Sequence, residues 1–168
     1  TARILDKAVR REPLTRDEAY ALYERTPVQE LAAAADAVRR ATVADPTVVT
    51  WQIDRNVNIT NVCISGCKFC NFHCKPYDTQ RAFITTREEY RRKIAQTLAL
   101  GGDQLLLQGG LHPRLGIAFY EELFRDLKQM FPDVRLHALG APEVAHIARV
   151  SGLTTIETLR RLMAAGLD

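Results

Sequence analysis

The chain has 168 residues, 46% hydrophobic and 26% charged, the composition of an ordinary globular protein. Its 23 Lys and Arg are interleaved with 20 Asp and Glu, so neither a nucleic-acid partner nor an anionic membrane surface is indicated. No apolar run reaches bilayer-spanning length and the opening TARILDKAVRREP is too polar for a signal peptide, so a cytoplasmic location is expected.

Thr15-Arg16-Asp17-Glu18 reads as a capping box that opens a helix running to about Glu24. Thr26 then reads as the cap before Pro27, at the first position of an alanine-rich helix that ends near Thr42. Residues 1–47 are expected as a helical segment apart from residues 48–168. From Val48 the pattern changes. Val48–Ile53 and Val57–Thr60 are β-rich, and at least the second is expected to be a strand running into Cys63. Thr86 and Glu89 form another capping box, opening a helix that Gly101-Gly102 stops after Leu100. A strand over Asp103–Gln108 follows, then a helix over 116–130 with Ile117, Tyr120, Leu123, Phe124 and Leu127 at helical spacing. A third strand, Val134–Leu139, precedes helices over Pro142–Val150 and Thr155–Ala165, the last closed by Gly166. Strand and helix alternating in this way predict an α/β fold with a parallel sheet. Three strands do not close a barrel, and the chain stops at Asp168 where a fourth strand is expected. The expectation is the N-terminal part of a longer (β/α) barrel.

All four cysteines lie between Cys63 and Cys74, which suits metal or redox chemistry rather than a disulfide framework. Cys63, Cys67 and Cys70 have C-x3-C-x2-C spacing, with Gly66 free to turn inside the loop. Three thiolates on a four-iron cluster leave one iron for a small molecule, whereas electron-transfer clusters use a cysteine at every iron. Two alternatives stand beside this. Cys67, Cys70, His73 and Cys74 could form a compact zinc site, although zinc sites usually pair two separated ligand units. Cys74 could be a fourth cluster ligand; the reading preferred here is a spare thiol beyond the loop.

The cysteine spacing, with Phe69 before the last cysteine, resembles the radical S-adenosylmethionine (SAM) superfamily. The stretches Asp54–Cys63, Leu107–Pro113 and Leu136–Val144 further resemble the dehypoxanthine futalosine cyclases of menaquinone biosynthesis, with likeness running to Asp168. Aminofutalosine synthases and deazaflavin-cofactor synthases share the general pattern.

The resemblance implies a TIM-barrel-like fold, incomplete in this chain, holding a 4Fe-4S cluster on Cys63, Cys67 and Cys70, and SAM at the open iron. One electron from an external donor would cleave SAM, and the 5′-deoxyadenosyl radical would take hydrogen from the ribose C4′ of a nucleoside-derived substrate, which then cyclises. Phe69, Phe72, Gln108, Gly109 and Gly110 become cofactor-binding candidates, the glycine pair lying along the methionine end of SAM. Bulk at Gly110 is then expected to harm SAM binding more than folding. The superfamily's acidic residue after the pair is here Leu111, which leaves the ammonium to other groups such as Gln108. His137, alternating with Leu136, and Glu143, at a helix start, are the catalytic candidates; a core histidine and a helix-capping carboxylate are the plainer readings. His112 reads equally as a substrate contact or a solvated loop residue. The alternatives to the cyclase are an aminofutalosine synthase-like enzyme and a non-enzymatic, ferredoxin-like or structural metal module.

Overall fold

The computed structural model describes all of Thr1–Asp168. The chain divides into two units after Trp51, beyond the expected boundary at residue 47.

The first unit is helical. Helix α1 (Ala2–Val9) lies within the expected helical segment, ahead of the two helices assigned from their caps; Ile4, Leu5 and Ala8 are half-buried along one side. Helix α2 (Arg16–Arg25) opens on the expected capping box, with the Glu18 amide donating to Thr15 Oγ1 at 3.2 Å and the Thr15 amide to Glu18 Oε2 at 2.8 Å. Glu18 also pairs with Lys7 at 2.7 Å, tying α2 to α1. Thr26 does not cap the next helix. It is the C-cap residue of α2 in extended conformation, and Pro27 takes the N-cap position of α3 (Val28–Thr42). Proline pushes the residue before it out of the helical region, and here that ends one helix and starts another.

Of the two β-rich stretches, Val48–Ile53 form no strand, and Val48, Val49 and Trp51 are exposed. β-propensity alone, with no neighbouring strand to pair with, does not make a ladder. The sheet starts at β1 (Asp54–Asn58), pairs in parallel with β2 (Gln104–Gln108), and β2 pairs in parallel with β3 (Arg135–Ala138), in the order β1-β2-β3. Helix α4 (Arg87–Ala99) connects β1 to β2, α5 (Ile117–Met130) connects β2 to β3, and α6 (Ala141–Ser151) and α7 (Thr155–Ala165) follow. The boxes at Thr86/Glu89 and Thr154/Glu157 both form.

Strand alternation sorts the side chains. Val57, Leu105, Leu107, Leu136 and Ala138 are buried in one core with Tyr90 and Ile94 of α4, Phe124 and Leu127 of α5, Ile147 of α6 and Leu162 of α7. Each of the fully buried leucines contributes roughly 1.5–3 kcal/mol by leaving water. The intervening residues Asn56, Asn58, Leu106, Gln108 and His137 fall on the opposite face, where none is fully buried. Register aligns Asn56, Leu106 and His137 in one row and Asn58 with Gln108 in the next. No helix is long and apolar enough to cross a membrane.

Candidate active site

The pairing of β1 with β2 carries on past both strands. Ile59 donates to the Gln108 carbonyl at 2.7 Å, Gly110 to that of Thr60 at 2.8 Å, and Ile64 to that of Leu111 at 3.1 Å. The segment bearing Cys63 and the turn bearing Gly109-Gly110 are therefore zipped together at the carboxyl end of the sheet, where α/β folds bind their ligands.

Cys63 and Cys74 close the base of the cysteine loop. The Cys63 amide donates to the Cys74 carbonyl at 3.0 Å, and the Cys74 amide to the Asn61 carbonyl at 2.9 Å. The buried side chain of Asn61 ties in the outgoing chain. Its Nδ2 donates to the Arg81 carbonyl at 2.8 Å, while Oδ1 accepts from the Phe83 amide at 2.9 Å and from Cys74 Sγ at 3.4 Å. A loop pinned in this way spares its outer residues from packing, which leaves them free for a ligand.

Cys67 is exposed and Cys63 and Cys70 half-buried, whereas Cys74 is 2% exposed with its thiol turned to Asn61. The loop thus presents three thiols, and Cys74 belongs to its foundation. Two of the three meet one residue: the Ser65 amide donates to Cys63 Sγ at 3.4 Å, and Ser65 Oγ lies 3.1 Å from Cys67 Sγ. Gly66 has a φ of +64°, in the left-handed region that favours glycine, and makes this turn possible. The Cys70 amide donates to the Cys67 carbonyl at 3.2 Å, and His73 Nδ1 lies 2.6 Å from the Cys70 carbonyl, so as a donor it holds the last turn. The zinc alternative loses Cys74 to these bonds, while His73, donating through Nδ1, keeps Nε2 open. No three His, Cys, Asp or Glu side chains are gathered tightly enough to hold one metal ion. Phe69 is 91% exposed on the loop, and Phe72 packs edge-to-face on Phe83 at 6.1 Å.

The glycine pair has a steric cause. A Cβ on Gly110 would overlap the Val62 carbonyl oxygen and stand 2.9 Å from Cys63 Cβ; on Gly109 it would lie 3.1 Å from both the amide and the carbonyl of Thr60. The space that bulk at Gly110 would enter is filled by the root of the cysteine loop, so substitution acts first on the fold and not, as expected from sequence, mainly on a ligand.

Glu143 lies beside this turn. It accepts from the Gly140 amide at 2.7 Å at the start of α6, and the Gly109 amide also helps to stabilise its charge. Burial nevertheless dominates and raises its pKa above the ordinary carboxylate value. Leu139, at a φ of +64°, makes the sharp bend that leads from β3 into this helix. A half-buried carboxylate 34 positions along the chain from Gly109 thus reaches the glycine pair. Gln108 and His137 stand on the open face of the sheet, on β2 and β3 respectively, while Phe69 is on the cysteine loop.

His112 is not a solvated loop residue. It is buried, and its Nδ1 accepts from the Arg114 amide at 3.1 Å. Its carbonyl lies 2.8 Å from Nε2 of the buried His146, whose Nδ1 lies 3.0 Å from Arg149 Nη2. Both contacts suit the neutral tautomer protonated on Nε2. His146 gave no sequence signal beyond its place on the inner side of a helix, and Asn61, in the link between β1 and Cys63, gave none.

Burial first, then Arg114 and His146, lower the His112 pKa below its ordinary 6.5. Between the folded and unfolded values the unfolded chain binds more protons. The stability His112 contributes is therefore full above about pH 6.5 and declines as pH falls below it. Urea midpoints between pH 7.5 and 5.5 should show this slope, and His112→Asn should flatten it. An unchanged slope in that variant would remove His112 from the account.

No family model matches the chain. It is 45% identical over 166 residues to a cyclic dehypoxanthine futalosine synthase of Streptomyces coelicolor, covering 98% of this chain and 42% of that protein. It is 38% identical over 157 residues to a 5-amino-6-(D-ribitylamino)uracil–L-tyrosine 4-hydroxyphenyl transferase of Methanosphaerula palustris, covering 92% and 42%. The chain thus spans less than half the length of these relatives. Among solved structures, the FeFe-hydrogenase maturase HydG from Carboxydothermus hydrogenoformans superposes with a TM-score of 0.59 at 16% identity, covering 99% of this chain and 46% of that one. At that identity the likeness speaks for the fold alone. Over nearly its whole length this chain is a sequence relative of the cyclic dehypoxanthine futalosine synthases, on a fold shared with the maturase HydG.

Proposed function

We propose that this chain is the N-terminal part of a radical SAM barrel that closes dehypoxanthine futalosine to its cyclic product in menaquinone biosynthesis. The observation that carries the reading is the cysteine loop, with three thiols presented at the carboxyl end of β1 and the fourth turned inward.

Cys63, Cys67 and Cys70 would hold a 4Fe-4S cluster, and SAM bound there would supply one-electron cleavage and a fragment able to take a hydrogen atom from the substrate. The chain's own part is positioning. Gly109 and Gly110 bring the second strand against the root of the loop. Glu143, held by two amides yet desolvated, offers a carboxylate to an ammonium group next to the glycine pair, the role left open by Leu111. Gln108 and His137 line the open face, where they can donate to or accept from a nucleoside hydroxyl. Phe69 and Phe72 would flank the cluster side. The substrate is a nucleoside-derived small molecule, the electron comes from an external donor in the cytoplasm, and neither nucleic acid nor membrane takes part.

The test is direct. The intact enzyme, anaerobic and reduced, is expected to convert dehypoxanthine futalosine deuterated at ribose C4′, with the label recovered in 5′-deoxyadenosine. The diaminouracil and tyrosine pair named for the transferase relative, and the aminofutalosine synthase substrate, should give no product. Label retained in the substrate while SAM is cleaved would rule out this substrate, and turnover of either competitor would reassign the activity.

A further inference from the structure

The two contacts of Ser65 point beyond ligand identity. Cys63 and Cys67 are four positions apart, and the one residue that reaches both thiols is Ser65, through its amide to the first at 3.4 Å and its hydroxyl to the second at 3.1 Å. With Cys67 as a free thiol, either its Sγ or the Ser65 hydroxyl could donate. A cysteine bound to iron has lost its proton and is left only as an acceptor, so the Ser65 hydroxyl must then be the donor. The φ of +64° at Gly66 turns the chain directly after Ser65. The Lys75 ammonium lies over the same turn, 3.2 Å from where a Gly66 Cβ would stand.

We propose that Ser65 sets the reduction potential of the cluster, by donating hydrogen bonds to the sulfurs of Cys63 and Cys67. When an external one-electron donor reduces the cluster, the added negative charge is shared with the cysteine sulfurs. Donors aimed at those sulfurs stabilise the reduced form more than the oxidised one, which raises the potential. The Lys75 charge acts in the same direction. Ser65 is a positioning and tuning residue and supplies neither a ligand nor a proton. The proposal rests on the iron–sulfur reading of the loop.

The experiment compares wild type, Ser65→Ala and Ser65→Thr after anaerobic reconstitution, reading iron and sulfide per chain and then the midpoint potential by electron paramagnetic resonance during a redox titration. Alanine keeps the amide and removes only the hydroxyl. Ser65→Ala is expected to retain the cluster and to shift its midpoint to more negative potential, so that at a fixed potential the reduced-to-oxidised ratio falls about three- to tenfold, the part of one charge-assisted hydrogen bond gained only on reduction. Ser65→Thr, which keeps a hydroxyl, should return most of the shift. An unchanged midpoint in Ser65→Ala overturns the proposal, and so does loss of the cluster in that variant alone, which would make Ser65 structural. Absence of iron and sulfide from wild type would overturn the cluster reading itself.

Discussion

Replacing Cys63, Cys67 or Cys70 by alanine is expected to remove the cluster and abolish SAM cleavage, while Cys74→Ala retains both. The distinction follows from where the thiols point. Those of Cys63 and Cys67 converge on Ser65 and that of Cys70 is partly open, but the Cys74 thiol is buried against Asn61. Losing one of three ligands leaves a cluster corner unprotected, and no nearby cysteine is free to replace it without breaking the base of the loop. The cost of Cys74→Ala should instead be one of packing, about 1–2 kcal/mol for a small cavity and a weak hydrogen bond. Iron and sulfide content, SAM cleavage and urea denaturation of the four variants read these effects separately. A Cys74→Ala protein of wild-type stability that cannot hold iron would sink the assignment of three ligands.

Substituting Gly110 should have the next largest effect. Even alanine places a Cβ on the Val62 carbonyl, and the obstacle is backbone, which has no rotamer into which to retreat. Relief requires separating the second strand's turn from the cysteine root, which strains the Gly110–Thr60 and Ile64–Leu111 hydrogen bonds. We expect Gly110→Ala to cost on the order of 3 kcal/mol and to lower cluster occupancy with it. Gly109→Ala meets Thr60 at 3.1 Å and should cost less, because a shift of a few tenths of an ångström relieves it. Denaturation midpoints ranked in the reverse order, or a Gly110→Ala protein as stable as wild type, would show that the close approach is not needed.

The sequence by itself determined the features that are local. The capping boxes at Thr15, Thr86 and Thr154 form because each is complete within four residues. The helices they open, the left-handed glycine after α7 and the alternation of β-strand and helix were legible for the same reason. The spacing of Cys63, Cys67 and Cys70 also shows within eight residues that they lie on one short loop. Where a local signal failed or left a choice open, a missing or unexpected neighbour was the cause. Val48–Ile53, left undecided by their β-rich composition, have no strand to pair with. Thr26 has a capping side chain but lies where the preceding helix ends.

Only the tertiary structure decided the site. Whether Cys74 is ligand or foundation depends on Asn61, 13 residues away. The need for glycine at 110 depends on Val62, and the raised pKa of Glu143 on burial beside Gly109. His146 supports the turn through the carbonyl of His112, a bond 34 residues long in sequence. These pairs share no pattern that a chain can display locally. Apart from Cys74 and Asn61, which the cysteine loop itself folds together, they meet because parallel strands need a helical crossover between them, which places residues from distant segments side by side at the carboxyl ends of the strands.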